Sequence, residues 1–108
     1  MNRETAITRN VRIALNRTAR CRIVRNNTGV DTQAGVRYGL GEGGADLVGI
    51  LRGGRVFCLE VKVPGGRTRP TQDAWLATVR RFGGFACVVT SIPEAMQALE
   101  RAEAGQCQ

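Results

Sequence analysis

The segment Arg55–Val63 constrains the fold more than any other stretch of the chain. Val56, Cys58, Glu60 and Lys62 fall on one face and Phe57, Leu59, Val61 and Val63 on the other, the two-residue period of a β-strand. The first face turns charged at its C-terminal end, while the second stays apolar. Gly53-Gly54 just before it folds the strand back on Asp46–Leu51 as an antiparallel hairpin, and Pro64-Gly65-Gly66 stops it. Beyond, Pro70 suits the first position of a helix whose first turn Gln72 helps to cap. Trp75, Leu76, Val79 and Phe82 make the buried stripe of that helix up to Gly83-Gly84. Phe85–Thr90 is a continuous apolar run and reads as a buried strand. Strand, helix and strand in that order require a right-handed parallel crossover. With an antiparallel hairpin beside it, the sheet is mixed and carries helices.

The flanking segments fit the same plan. Ile7, Val11, Ala14 and Leu15 form one stripe of an amphipathic helix from about Glu4 to Thr18, with Glu4 in the first turn, where a carboxylate favours the helix dipole. Cys21–Arg25 is a short strand, ended by Asn26-Asn27-Thr28-Gly29 as a turn. Val36–Leu40 is extended. Gly39, Gly41, Gly43 and Gly44 then make a loop whose backbone N–H groups come close to a ligand. Ser91 with Glu94 opens a last helix lined by Ala95, Ala98, Leu99 and Ala102.

At 108 residues the chain is sized for one domain, 1–108. Of its 16 basic residues all but Lys62 are arginine, and the net charge is +7. Guanidinium groups suit bidentate contact with phosphate, so nucleic acid is the leading partner class. With no histidine in the chain, a Ser–His–Asp triad, a histidine base and His–Cys zinc sites are excluded. Cys21, Cys58, Cys87 and Cys107 show no C-x-x-C pairing, against structural zinc. Neither a signal peptide nor a membrane-length apolar run is present, so a cytoplasmic protein without a membrane partner is expected.

The hairpin carries the chemistry. Counted outward from its turn, Asp46 and Glu60 are equidistant and fall side by side across the ladder, where Cβ atoms stand about 4.5–5.5 Å apart. Two carboxylates at that spacing repel unless a positive charge lies between them, and a divalent cation such as Mg²⁺ meets that need. Lys62 shares the Glu60 face about 6.6 Å further along, from a rise near 3.3 Å per residue. It serves either as a base toward water or as an electrostatic clamp on phosphate. The ordinary alternative is a surface Glu–Lys pair. Beside so many arginines, the natural reaction of a metal site is phosphodiester hydrolysis.

Asp46 with Glu60-Val61-Lys62 resembles the signature of the restriction-endonuclease-like PD-(D/E)xK nucleases. More closely, the chain resembles the VRR-NUC (virus-type replication-repair nuclease) domain in the small stand-alone form of phages and bacteria. The resemblance spans about Glu4 to Leu99. It is carried by Arg25–Gly29, Arg37–Leu40, Gly43–Ile50, Glu60–Lys62, Pro64-Gly65, Gln72 and Trp75, with Gly44 where the superfamily name has proline. It implies an α/β fold with an α-β-β-β-α-β core, its mixed sheet flanked by helices, and cleavage of DNA dependent on Mg²⁺ or Mn²⁺. Asp46, Glu60 and the Val61 backbone carbonyl would hold the metal, Lys62 would orient or help deprotonate the attacking water, and Glu4 and Gln72 match the family's further acidic residue and glutamine. Stand-alone members look like homodimers acting on branched DNA such as four-way junctions, and fused members occur in repair nucleases.

Each of these residues has a plainer role open to it. Glu4 is also a helix-start carboxylate and Gln72 a first-turn cap. Asn26 and Asn27 are either a turn or contacts beside the site. Arg25, Arg37, Arg67 and Arg69 are phosphate-contact candidates or solvated charge, and Tyr38 either stacks on a base or completes the core. The competing function is a non-catalytic basic DNA-binding module of a replication or repair assembly.

Overall fold

A computed structural model describes residues 1–108. Helix α1 spans Arg3–Arg17, followed by strands β1 (Cys21–Arg25), β2 (Gly29–Asp31), β3 (Val36–Tyr38), β4 (Leu47–Leu51) and β5 (Val56–Val61). Helix α2 (Pro70–Arg81), strand β6 (Phe85–Val89) and helix α3 (Ile92–Glu103) complete the chain. Four strands form one sheet in the order β1-β4-β5-β6. The β1–β4 and β4–β5 pairs are antiparallel and β5–β6 is parallel. The mixed α/β architecture with its α-β-β-β-α-β core is therefore the one expected.

Capping explains where the helices start. Asn2 accepts the Thr5 N–H at 2.8 Å to open α1. Ser91 accepts the Glu94 N–H at 3.3 Å to open α3, and the Glu94 carboxylate returns to the Thr90 N–H at 2.7 Å. The core lies mainly on one side of the sheet. There Val11 and Leu15 of α1 and the alanine–leucine stripe of α3 cover Ile23, Leu47, Phe57, Leu59, Val61 and Phe85. Phe57 and Phe85, partners in the parallel ladder, have ring centroids 5.4 Å apart. On the other side α2 lays Leu76 over Cys58, Ala86 and Ala45. Strand β5 is thus covered on both faces, which is why its polar Glu60 is buried too.

One residue on each sheet edge is satisfied from within the chain. Asn16 of α1 donates to the Ile23 carbonyl and accepts the Ile23 N–H, both at 2.9 Å, as a neighbouring strand would. At the far edge, Ala86 of β6 donates to the Cys107 carbonyl at 3.0 Å and accepts from Arg80 Nε at 2.8 Å.

Two expectations are corrected. Asn26–Gly29 does not form a turn: Gly29 already belongs to β2, which pairs antiparallel with β3, the extended part of Val36–Leu40, as a separate two-stranded ribbon. Its residues are too few and too exposed to show an apolar alternation. Phe82 does not extend the buried stripe of α2 and is 82% exposed. It caps the helix as the chain leaves the α geometry, and Gly84 behind it packs against Val79 and Val56 instead.

Candidate active site

Continuing the β4–β5 register, Leu47 opposite Leu59, by one residue sets Asp46 opposite Glu60. Asp46 lies just outside β4, and its side chain supplies the next rung: Oδ2 accepts the Val61 N–H at 2.8 Å. From the other side, the Asn26 N–H donates to the Asp46 carbonyl at 2.8 Å. The Asn26 side chain donates to the Ala45 carbonyl at 3.1 Å and accepts the Leu40 N–H at 3.2 Å. Asn26 therefore spends its amide on holding the backbone that carries Asp46.

Glu60 is 1% exposed. Its Oε1 accepts from Gln72 Nε2 at 3.3 Å and faces Lys62 Nζ at 3.9 Å. Its Oε2 is buried without a partner. Burial pushes the Glu60 carboxyl well above the usual carboxylate range. The neighbouring Asp46 carboxylate pushes the same way, Lys62 opposes it, and the charge of Glu4 adds to it. The Lys62 side chain is only 12% exposed, so the amine points inward rather than into bulk water. Gln72 is the first-turn cap of α2, its Oε1 accepting the Arg69 N–H at 2.8 Å, and its amide also donates to Glu60.

The buried Glu60 carboxyl, with one oxygen lacking a partner, stands beside a second carboxylate, an acceptor set whose chemistry suits a cation. No cluster of three or more His, Cys, Asp or Glu side chains accompanies the pair. Glu4 reaches Glu60 by its field, without completing such a cluster. A donor set of two carboxylates fits Mg²⁺ or Mn²⁺, hard cations that use one or two carboxylates and fill their remaining positions with water and substrate phosphate.

Asp46, Glu60 and Gln72 open into a cleft of about 560 Å³. From β1 and the segment after it come Arg25, Asn26, Asn27 and Thr28; from β3, Arg37 and Tyr38; from the start of α2, Arg69. Six of the seven residues expected to contact DNA thus border the acidic pair, and Arg67 lies outside the lining, as do Glu4 and Lys62. Sequence reasoning missed Glu42, which also lines the cleft, and the contact made by Gly43. A Cβ at Gly43 would run into the Thr71 carbonyl at the start of α2, and φ there is +79°. The glycine loop packs the Asp46 segment against the helix that supplies Gln72, and the run of glycines was the signal for it.

A mixed sheet that carries Asp46, Glu60 and Lys62 at the end of a hairpin, with an arginine-rimmed cleft over the acidic pair, is consistent with a restriction-endonuclease-like, PD-(D/E)xK-related nuclease class. The VRR-NUC domain family model matches residues 8–93. The chain belongs to that family, and a nuclease-type function in general comes with it. No curated protein shows a significant match.

Proposed function

We propose that the chain is a Mg²⁺- or Mn²⁺-dependent deoxyribonuclease that hydrolyses phosphodiester bonds in branched DNA such as four-way junctions. In this reading residues 1–108 form a single nuclease domain that works as a homodimer in the cytoplasm of a bacterial or phage-infected cell. The observation that carries it is the unpartnered oxygen of buried Glu60 beside Asp46, at the floor of a cleft rimmed by Arg25, Arg37 and Arg69.

Asp46, Glu60 and the Val61 carbonyl would hold a cation that supplies Lewis-acid polarisation of the scissile phosphate, with Glu4, the family's further acidic residue, adding its negative field from α1. Asp46 is fixed for that task by the Val61 N–H, and Glu60 by the Gln72 amide. Lys62, turned toward Glu60, either takes a proton from the attacking water or stabilises charge growing on the phosphate. Arg25, Arg37 and Arg69 grip phosphates on either side of the cut, Arg67 stands outside the cleft lining, and Asn26, Asn27 and Tyr38 complete the DNA-facing wall. An apolar surface where exposed Phe82 joins Val56, Trp75 and Val79 supports a second copy as partner. Light scattering reads that stoichiometry.

One gel experiment tests the reading: linear duplex, single strand, flap and four-way junction, each with Mg²⁺, Mn²⁺ or EDTA. Junctions should be cut in either metal and not in EDTA. Asp46→Ala and Lys62→Ala should lower the rate at least about a hundredfold while DNA affinity stays within a few-fold. Cleavage in EDTA, or by the Asp46 variant, removes the metal site. Binding without cleavage under every condition makes the chain a DNA-binding module.

A further inference from the structure

The site described so far cuts phosphodiesters but contains nothing that tells a branch from a continuous duplex. Arginines on phosphates are blind to that difference, because the backbone charge is present in both. We infer that Tyr38 is the selecting element: a base-stacking platform that takes a nucleobase face left uncovered where a strand leaves its duplex. The inference rests on the nuclease reading of the cleft and deepens it.

Tyr38 closes β3 opposite Gly29 of β2, in a ribbon that no third strand extends. Its phenol end rests on the Gly29 backbone. A Cβ at Gly29 would stand 2.5 Å from Tyr38 Oη and 2.7 Å from Cζ. The missing side chain at Gly29 is thus what lets the ring lie across the ribbon, so this aromatic has a seat. It is not a core residue. Tyr38 is 52% exposed and belongs to neither apolar cluster. It lines the same cleft as Asp46, Glu60, Arg37 and Arg69. A seated ring with an open surface, in a basic groove beside the cutting groups, is what single-strand binding sites use to hold bases. In an intact duplex the faces of each base are covered by its neighbours, so the ring gains nothing. At a junction, fork or flap a base is free to stack, and the arginines then hold the phosphates around it.

The test reads binding and cutting separately. Fluorescence anisotropy in EDTA compares a four-way junction, a splayed fork and a linear duplex of matched length, for the unaltered chain, Tyr38→Phe, Tyr38→Leu and Tyr38→Ala. Phe keeps the ring and should stay within about twofold of the unaltered chain on every substrate. Leu and Ala should lose about tenfold on junction and fork, the scale of one base–aromatic stack, with duplex binding nearly unchanged. In Mg²⁺ the same two variants should lose their preference for cutting branched over linear DNA. Gly29→Ala, which unseats the ring, should move in the same direction. Melting temperatures of the Tyr38 variants should match the unaltered chain, because the residue supports no core. Equal losses on all substrates, no loss, or Phe behaving like Ala would overturn the inference, the last pointing to a hydroxyl–phosphate contact. Failure of the nuclease reading looks different: no cutting in Mg²⁺ or Mn²⁺, with the ring-dependent binding preference intact.

Discussion

A carboxylate that is 1% exposed, with one oxygen unpartnered and a second carboxylate beside it, destabilises the fold whenever it is ionised without a cation. In the cation-free protein Glu60 therefore holds its proton far above the ordinary range, chiefly through burial. Its folded-state pKa lies above its unfolded one. The stability it allows is complete below the unfolded pKa and is lost as pH rises toward the folded value. In EDTA, the melting temperature should fall by about 5 °C or more between about pH 5 and pH 8. Glu60→Gln, which cannot ionise, should melt at nearly the same temperature across that window. Millimolar Mg²⁺ should restore the unaltered chain at pH 8 and do little at pH 5, where the proton occupies the site. Scanning calorimetry checks all three, and an equal slope in Glu60→Gln would show that the pH dependence arises elsewhere.

At the scale of elements, periodicity carried most of the reading and failed where it had no purchase. Strand β5, the β4–β5 hairpin and helix α3 were legible because long runs with one or both faces buried leave a clear period. Hairpin arithmetic alone set Asp46 opposite Glu60, so the centre of the candidate site was legible too. The β2–β3 ribbon was not, since three-residue strands exposed on both faces have no burial to pattern them. Glu42 and the hold of Asn26 on Ala45 belong to loop geometry, which has no period. Gly49 in β4 shows a constraint that pattern alone hides. A Cβ there would collide with the Arg22 carbonyl and stand 2.7 Å from Ile23 Cα, both in backbone of the partner strand β1. Backbone cannot yield as a flexible side chain would. Gly49→Ala should therefore cost at least about 2 kcal/mol by urea titration, or about 8 °C or more in melting temperature. Its DNA affinity, measured well below the transition, should change little, because Gly49 lines no part of the cleft. A melting temperature within 2 °C of the unaltered chain, a margin set by the usual size of neutral substitutions, would mean that β1 shifts freely.

Across the whole molecule, a charge of +7 overstates what is offered to DNA. Several arginines are spent on the protein itself, a use that sequence cannot separate from phosphate binding because a guanidinium suits both carbonyl and phosphate oxygen. Arg55 donates to the carbonyls of Gly83 at 2.8 Å, Ala102 at 2.9 Å and Gln106 at 2.6 Å, tying the ends of α2 and α3 to the C-terminal segment. Arg80 and Arg52 donate to the Ala86 and Ala19 carbonyls at 2.8 and 2.7 Å, and Arg20 pairs with Glu103. Arg25, Arg37 and Arg69 are the arginines that line the cleft. Binding should therefore follow a local count rather than the total. Three phosphates per cleft give a slope of log K against log salt of roughly −3 on duplex and roughly −2 on single strands, doubled where a dimer seats both clefts on one junction. Alanine at Arg25, Arg37 or Arg69 should each flatten the slope by about 1 per engaged cleft. Arg55→Lys should lower the melting temperature and leave the slope unchanged, since its guanidinium is already engaged with backbone. A slope far steeper than this count, indifferent to the three cleft arginines, would mean that DNA reads the charge of the whole surface, and the cleft would lose its claim to the substrate.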